Sequence, residues 1–143
     1  MKEQTPTGRF SVSFVVANNR DVVQLAPAVP VPQGVKHLVL SGVVDSGAAR
    51  LVLPQRAAEE LGLQGHGDTT VRYADGRRER RPVVSNVWLQ LLGRDGVFSA
   101  VVEPDRSDAL IGAIVLEELD LLVDCTSGTL RPRESDSILT EIE

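Results

Sequence analysis

Residues 43–48 read Val-Val-Asp-Ser-Gly-Ala, inside the stretch HLVLSGVVDSGAARLVLP at 37–54. An apolar run, Leu38-Val39-Leu40 and Val43-Val44, leads straight to an ionisable residue, Asp45, then to a small hydroxyl and a glycine. Such a run is built to be buried, and a carboxylate at its end is costly to desolvate unless something compensates it. Asp45 therefore either opens a turn, as Asx residues do, or its placement serves chemistry.

The rest of the chain narrows the choice. Its 143 residues fit one domain with a real core, about 10–132, and a polar, acidic tail at 133–143 that reads as loose. Val and Leu dominate, and the aromatics are Phe10, Phe14, Tyr73, Trp88 and Phe98. A net charge of −5 gives no overall basic field for nucleic acid. One cysteine, Cys125, forms no internal disulfide and fits a reducing compartment. No apolar stretch approaches the roughly 20 residues of a membrane-spanning helix, and the N-terminal segment lacks a secretory signal's apolar run. The expectation is a cytoplasmic domain without membrane or nucleic-acid partners.

Short Val-rich runs between turn residues predict a mainly β fold. Phe10, Val12 and Phe14 alternate in a first strand, followed by a turn at Asn18-Asn19 into DVVQLA. Pro27, Pro30 and Pro32 place 27–34 in a loop or edge segment. Residues 35–44 form the strand that delivers Asp45. Pro54 suits the first turn of a short helix, stopped at Gly62. TTVRYADGRRERRPVV at 69–84 predicts a hairpin turning at Asp75-Gly76. Strands at 83–92 and 97–103, a second helix around 113–119 and a closing hairpin in LDLLVDCTSGTLRP complete the reading.

Asp-Ser-Gly-Ala at a strand end, a short helix, a hairpin, and then Leu110-Ile111-Gly112 with its glycine 67 positions after Asp45 is a specific order. It resembles the retropepsin-like aspartic proteases, which include retroviral enzymes and single-domain bacterial relatives, and the resemblance to the bacterial type spans about residues 10–132. The resemblance implies a closed β-barrel with two short helices and a flap hairpin, acting as a two-fold homodimer. It implies that Asp45 is catalytic, that Ser46, Gly47 and Ala48 support its loop, and that Leu110, Ile111 and Gly112 pack beside it. Ala74, Asp75, Gly76 and Arg77 fall where the family carries its substrate-binding flap.

The family chemistry accounts for the cost of Asp45. Two carboxylates share one proton and a water; one takes a proton from the water while the other donates to the scissile carbonyl. This chain holds one Asp-Ser-Gly, so an active enzyme needs the second carboxylate from another copy. The implied substrate is an extended polypeptide, with no cofactor and no metal. The sequence departs from the retroviral pattern at Ala49, Arg50 and Ala113, where those relatives carry acidic residues and an arginine. Arg50 is thereby a candidate to face the cleft.

Blander readings stand beside these. Asp124 in DCTSG reads as a hairpin turn, RRERR at 77–81 as a solvated hairpin face, and Trp88 as packing or interface. His37 and His66 have no partners at zinc-ligand spacing. No Gly-x-Ser-x-Gly surrounds Ser46. The rival to an endopeptidase is a catalytically inactive dimeric binding or scaffold module on the same fold.

Overall fold

The computed structural model describes residues 9–133; the expected loose tail, apart from its first residue, lies outside them. The alternating Phe10–Phe14 segment becomes β1 (Arg9–Asn18), which pairs antiparallel with β2 (His37–Asp45) in the register Phe14↔Leu40. Alternation puts Phe14, Val16, Leu40 and Val44 inside. The same register sets Arg9 opposite Asp45.

Beyond β2 the sheet continues through β3 (Leu51–Pro54), β4 (Gln64–Arg72), β5 (Arg78–Leu91), β6 (Arg94–Glu103) and β7 (Ala109–Ile111). The strand order is β1-β2-β7-β3-β6-β5-β4, and β1 also pairs with β5, with Val16 opposite Leu89. That extra pairing closes six strands into a barrel and leaves β4 as an arm on β5. Closure removes the exposed edges an open sheet would carry. Inside lie Val16, Val44, Leu51, Leu53, Leu89 and Ile111, each fully buried.

The hairpin arm and the following strand, expected as separate pieces, are one strand. β5 carries a register shift between Val84 and Val87, where Asn86 takes φ 61°. A bulge of this kind bends a strand without ending it, so one continuous ladder runs from the projecting arm into the barrel wall.

Two short helices were expected and three are present among the described residues. α2 (Gln55–Glu60) and α3 (Ala113–Glu118) match the expected pair. Pro54 is the residue before the α2 helix instead of its first turn, and Gly62 at φ 62° closes α2 with Gly62 and Leu63 amides donating to Glu59 and Ala58. The additional helix, α1 (Asn19–Val22), replaces the expected turn into DVVQLA. Its cause is Asn18, whose side-chain oxygen accepts from the Arg20 amide at 2.9 Å. The same buried Asn18 donates through Nδ2 to the Leu61 and Gly62 carbonyls, both at 3.2 Å, and so ties β1 to the end of α2.

A separate hairpin, β8 (Leu121–Asp124) with β9 (Thr129–Pro132), closes the described chain. Asp124 makes its turn as expected, Oδ1 accepting from the Thr126 and Ser127 amides at 3.0 and 3.2 Å. Hydrogen bonds from Ser127, then Thr126, hold its carboxyl below the usual range. Arg94 joins this hairpin to the barrel by donating to the Leu119, Asp120 and Arg133 carbonyls. Among the described residues, no helix is long and apolar enough to cross a membrane.

Candidate active site

Asp45 is the last residue of β2, one step beyond fully buried Val44. Its side chain is 16% exposed, and Oδ2 lies 3.2 Å from Arg9 Nη2. On the other side, the Gly47 amide donates to Oδ1 at 3.0 Å, and the Ala48 amide donates to the Asp45 carbonyl at 3.0 Å. The loop thus closes on its own aspartate, which fixes the carboxylate at the barrel's surface. Ser46 and Gly47 are exposed beside it. A Cβ at Gly47 would meet Asp45 Oδ1 at 3.4 Å, an ordinary contact. In the single chain, then, Gly47 matters for its amide.

Gly112 has a sharper reason to be glycine. A Cβ there would fall 2.5 Å from the Arg50 carbonyl oxygen and 2.7 Å from the Ala49 carbonyl carbon. The close approach lets the Ala113 amide donate to the Ala48 carbonyl at 2.8 Å, and Ile114 to Ala49 at 3.0 Å. Leu110 and Ile111 stand in parallel register with Val43 and Val44. The expected Leu110-Ile111-Gly112 segment therefore adjoins both the strand that carries Asp45 and the loop that follows it.

The hairpin expected as a flap joins β4 to β5. The Tyr73 amide donates to the Arg77 carbonyl and the Gly76 amide to the Tyr73 carbonyl, both at 2.9 Å, with Gly76 at φ 88°. This is a three-residue loop, Ala74-Asp75-Gly76, with glycine at the left-handed position. Asp75 Oδ1 accepts from the Arg77 amide at 2.9 Å. Between the hairpin and the Asp45 loop lies a cavity of about 590 Å³, lined among others by Ala48, Ala49, Arg50, Tyr73 and Arg77. Arg50, singled out as a candidate for the cleft, lines it; Ala74, Asp75 and Gly76 do not.

Three residues of this cavity were not legible as a group. The Tyr73 hydroxyl donates to Glu103 Oε2 at 2.6 Å, and Arg81 Nε donates to Glu103 Oε1 at 3.0 Å. Glu103 is buried at the end of β6, and the Arg81 side chain is 18% exposed. Arg81 thus departs from the solvated face expected of RRERR. Burial, then the bond to Glu103, pushes the Tyr73 phenol above its usual range, and Glu103 keeps Arg81 more firmly protonated. The available signal was weak: one tyrosine two residues before an Asp-Gly turn, and a glutamate ending an apolar strand. Among the described residues, no group of three or more His, Cys, Asp or Glu is placed to hold a metal.

A closed barrel that presents Asp-Ser-Gly at a strand end, braced by an apolar-apolar-Gly segment, has the architecture of a retropepsin-like aspartyl protease. The family model described as aspartyl protease matches residues 33–115, and the chain belongs to that family. The chain is also similar to antitoxin VapB40 of Mycobacterium tuberculosis, 39% identical over 74 residues, covering 51% of this chain and 86% of that protein. An uncharacterized protein of Mycobacterium bovis matches with the same identity and coverage.

Proposed function

We propose that the chain is an aspartic endopeptidase that works as a two-fold homodimer, with one Asp45 from each subunit at the axis. The observation that carries this reading is Asp45 itself, held at a barrel surface by the Gly47 amide at 3.0 Å and followed by exposed Ser46 and Gly47. A lone carboxylate is an acid or a base at any moment; hydrolysis of an amide needs both at once. A second copy supplies the missing partner by symmetry.

In the assembled site one Asp45 takes a proton from a water held between the carboxylates. That water attacks the scissile carbonyl, and the protonated Asp45 donates to its oxygen. A tetrahedral diol forms; the Asp45 that took the water's proton then gives it to the amide nitrogen as the C–N bond breaks, while its twin takes a proton back from a diol hydroxyl. Ser46 bonds across the axis to the twin loop, and the hairpin lies over an extended polypeptide strand. Digestion of a peptide library by wild type and by Asp45→Asn tests this reading. Cleavage by wild type alone supports it, and equal cleavage by a clean Asp45→Asn preparation refutes it.

The likeness to proteins named antitoxin VapB40 favours a second reading, a dimeric binding or scaffold module without catalysis. Under it, Asp45→Asn leaves partner binding intact and neither protein cuts the library.

A further inference from the structure

We infer that the cavity between the hairpin and the Asp45 loop is a subsite for an acidic side chain of the polypeptide substrate. This rests on the protease reading above and adds the class of residue recognised. Its lining carries Arg50, Arg72, Arg77, Arg81 and Arg106 against Glu103 and Asp105, so five positive charges face two negative ones, a net of +3. The whole chain, by contrast, carries −5. Positive charge is therefore concentrated where a substrate side chain would enter.

The pairs within the cavity decide which arginines are available. Arg81 and Glu103 neutralise one another at 3.0 Å, with Tyr73 completing the cluster. Arg77 is different. Its guanidinium lies 4.4 Å from the Tyr73 ring centroid, a cation–π contact that holds it at the cavity rim. Its acidic neighbour is Asp75 at 3.8 Å, with both side chains more than half exposed. A substrate carboxylate can replace so loose a contact. Arg106 is steadied through Nε by the Asp108 carbonyl at 2.9 Å, which leaves its charge uncompensated by that bond. Arg50 has no salt-bridge partner among the described residues and sits where the catalytic loop enters the cavity.

The walls also include Val101 and Leu110. Apolar walls exclude water and strengthen an ion pair relative to one on an open surface. A volume of about 590 Å³ suits one or two side chains, and the charges converge into a concavity instead of spreading along a convex face. Those two features favour a carboxylate on a peptide over a phosphate backbone.

The test uses the full chain near pH 6, where substrate carboxylates are ionised. Wild type is digested against a library in which each Glu peptide has a Gln counterpart. We expect kcat/KM up to about fivefold higher for Glu at one fixed position from the cut, the size of a solvent-accessible ion pair. Arg77→Glu and Arg50→Glu should each erase that preference or turn it toward Lys, and the wild-type preference should fade below about pH 4. Cleavage with no Glu-over-Gln preference overturns the subsite and leaves the protease reading standing. In parallel, Asp45→Asn is titrated with fluorescent Glu-rich and Gln-matched peptide pools and a single-stranded oligonucleotide. If nothing is cut, tighter binding of the Glu pool, lost in Arg77→Glu on the Asp45→Asn background, supports the subsite and removes the protease reading. Equal binding of the two pools, or tighter binding of the oligonucleotide, overturns the subsite.

Discussion

The amide of Ala113 donates to the carbonyl of Ala48 at 2.8 Å, so the first turn of α3 is bonded to the loop that holds Asp45. The contact exists because Gly112 lets two backbones approach to a distance no side chain would allow. Asp45 is positioned from two directions: from β2 behind it, and from a segment 67 residues later in the chain.

Gly112→Ala should therefore harm the site more than its small size suggests. Gly112 has φ −94°, which any residue adopts, so the cost is steric. The obstructing atoms are backbone atoms of Ala49 and Arg50, and relief requires the loop to move. A loss of about 1–3 kcal/mol in urea-unfolding stability is expected, as for overpacking generally, together with a fall in kcat. Gly62→Ala is the comparison: φ there is 62° with nothing within 4 Å of an added Cβ. It should lower stability by about 1–2 kcal/mol through backbone strain and leave kcat unchanged.

Shared catalysis predicts a concentration dependence. Turnover per chain should fall on dilution as dimers separate, in step with the dimer fraction seen by sedimentation. Constant turnover at concentrations where the protein is monomeric would refute a site built from two chains. Ser46→Ala should weaken the dimer or its activity by about 1–3 kcal/mol per buried partner left without its hydrogen bond.

Tyr73, Glu103 and Arg81 tie the hairpin to the barrel wall, and each bond has a separable contribution. Tyr73→Phe removes the 2.6 Å bond to Glu103 and the 3.1 Å bond accepted from Arg81 Nε, and leaves the Arg81–Glu103 pair in place, at a cost of about 1 kcal/mol. Glu103→Gln weakens a largely buried charge pair and should cost more, about 2 kcal/mol. Amide exchange in residues 69–81 should quicken in both. The Tyr73 phenol is raised above its ordinary 10.0 in the fold, first by burial and then by Glu103. A raised value means the stabilisation is full below about pH 10 and is lost as pH rises through the folded value. The stability gap between wild type and Tyr73→Phe should hold from neutral pH to about pH 10 and shrink above it.

Local signals made most of the barrel legible. Alternation in Phe10–Phe14, the Asp75-Gly76 turn and Gly62 after a helix each act over a few residues, and each lies where those signals put it. What the sequence hid depends on distant partners. The α1 helix forms because Asn18 caps it while anchoring to α2 more than 40 residues away. The continuity of β5 depends on a bulge that no single residue announces. At the site, Asp45 stood out because a carboxylate ends an apolar run. Glu103 also ends a largely apolar strand, but its partners Tyr73 and Arg81 come from the hairpin, 30 and 22 residues earlier. Only folding brings the three together.

The pH profile of cleavage separates an enzyme from a binding module on the same fold. Two Asp45 carboxylates meeting on a dimer axis must hold one proton between them for hydrolysis, since one acts as acid and the other as base. Interacting carboxylates lose their protons in two macroscopic steps that belong to the pair. Cleavage should therefore peak between those steps and decline on both sides, giving a bell weighted toward acid pH. With the pair fully protonated there is no base; with it fully ionised there is no acid, and the carbonyl oxygen gains no proton. The acidic subsite imposes a second, separable dependence: Glu peptides should lose their advantage over Gln peptides below about pH 4, while the Gln peptides report the carboxylate pair alone. Measuring one Gln peptide from about pH 3 to pH 8, on both sides of the ordinary aspartate range, isolates the bell. Activity that climbs steadily into alkaline pH would mean a different nucleophile and would remove Asp45 from the centre of the reaction.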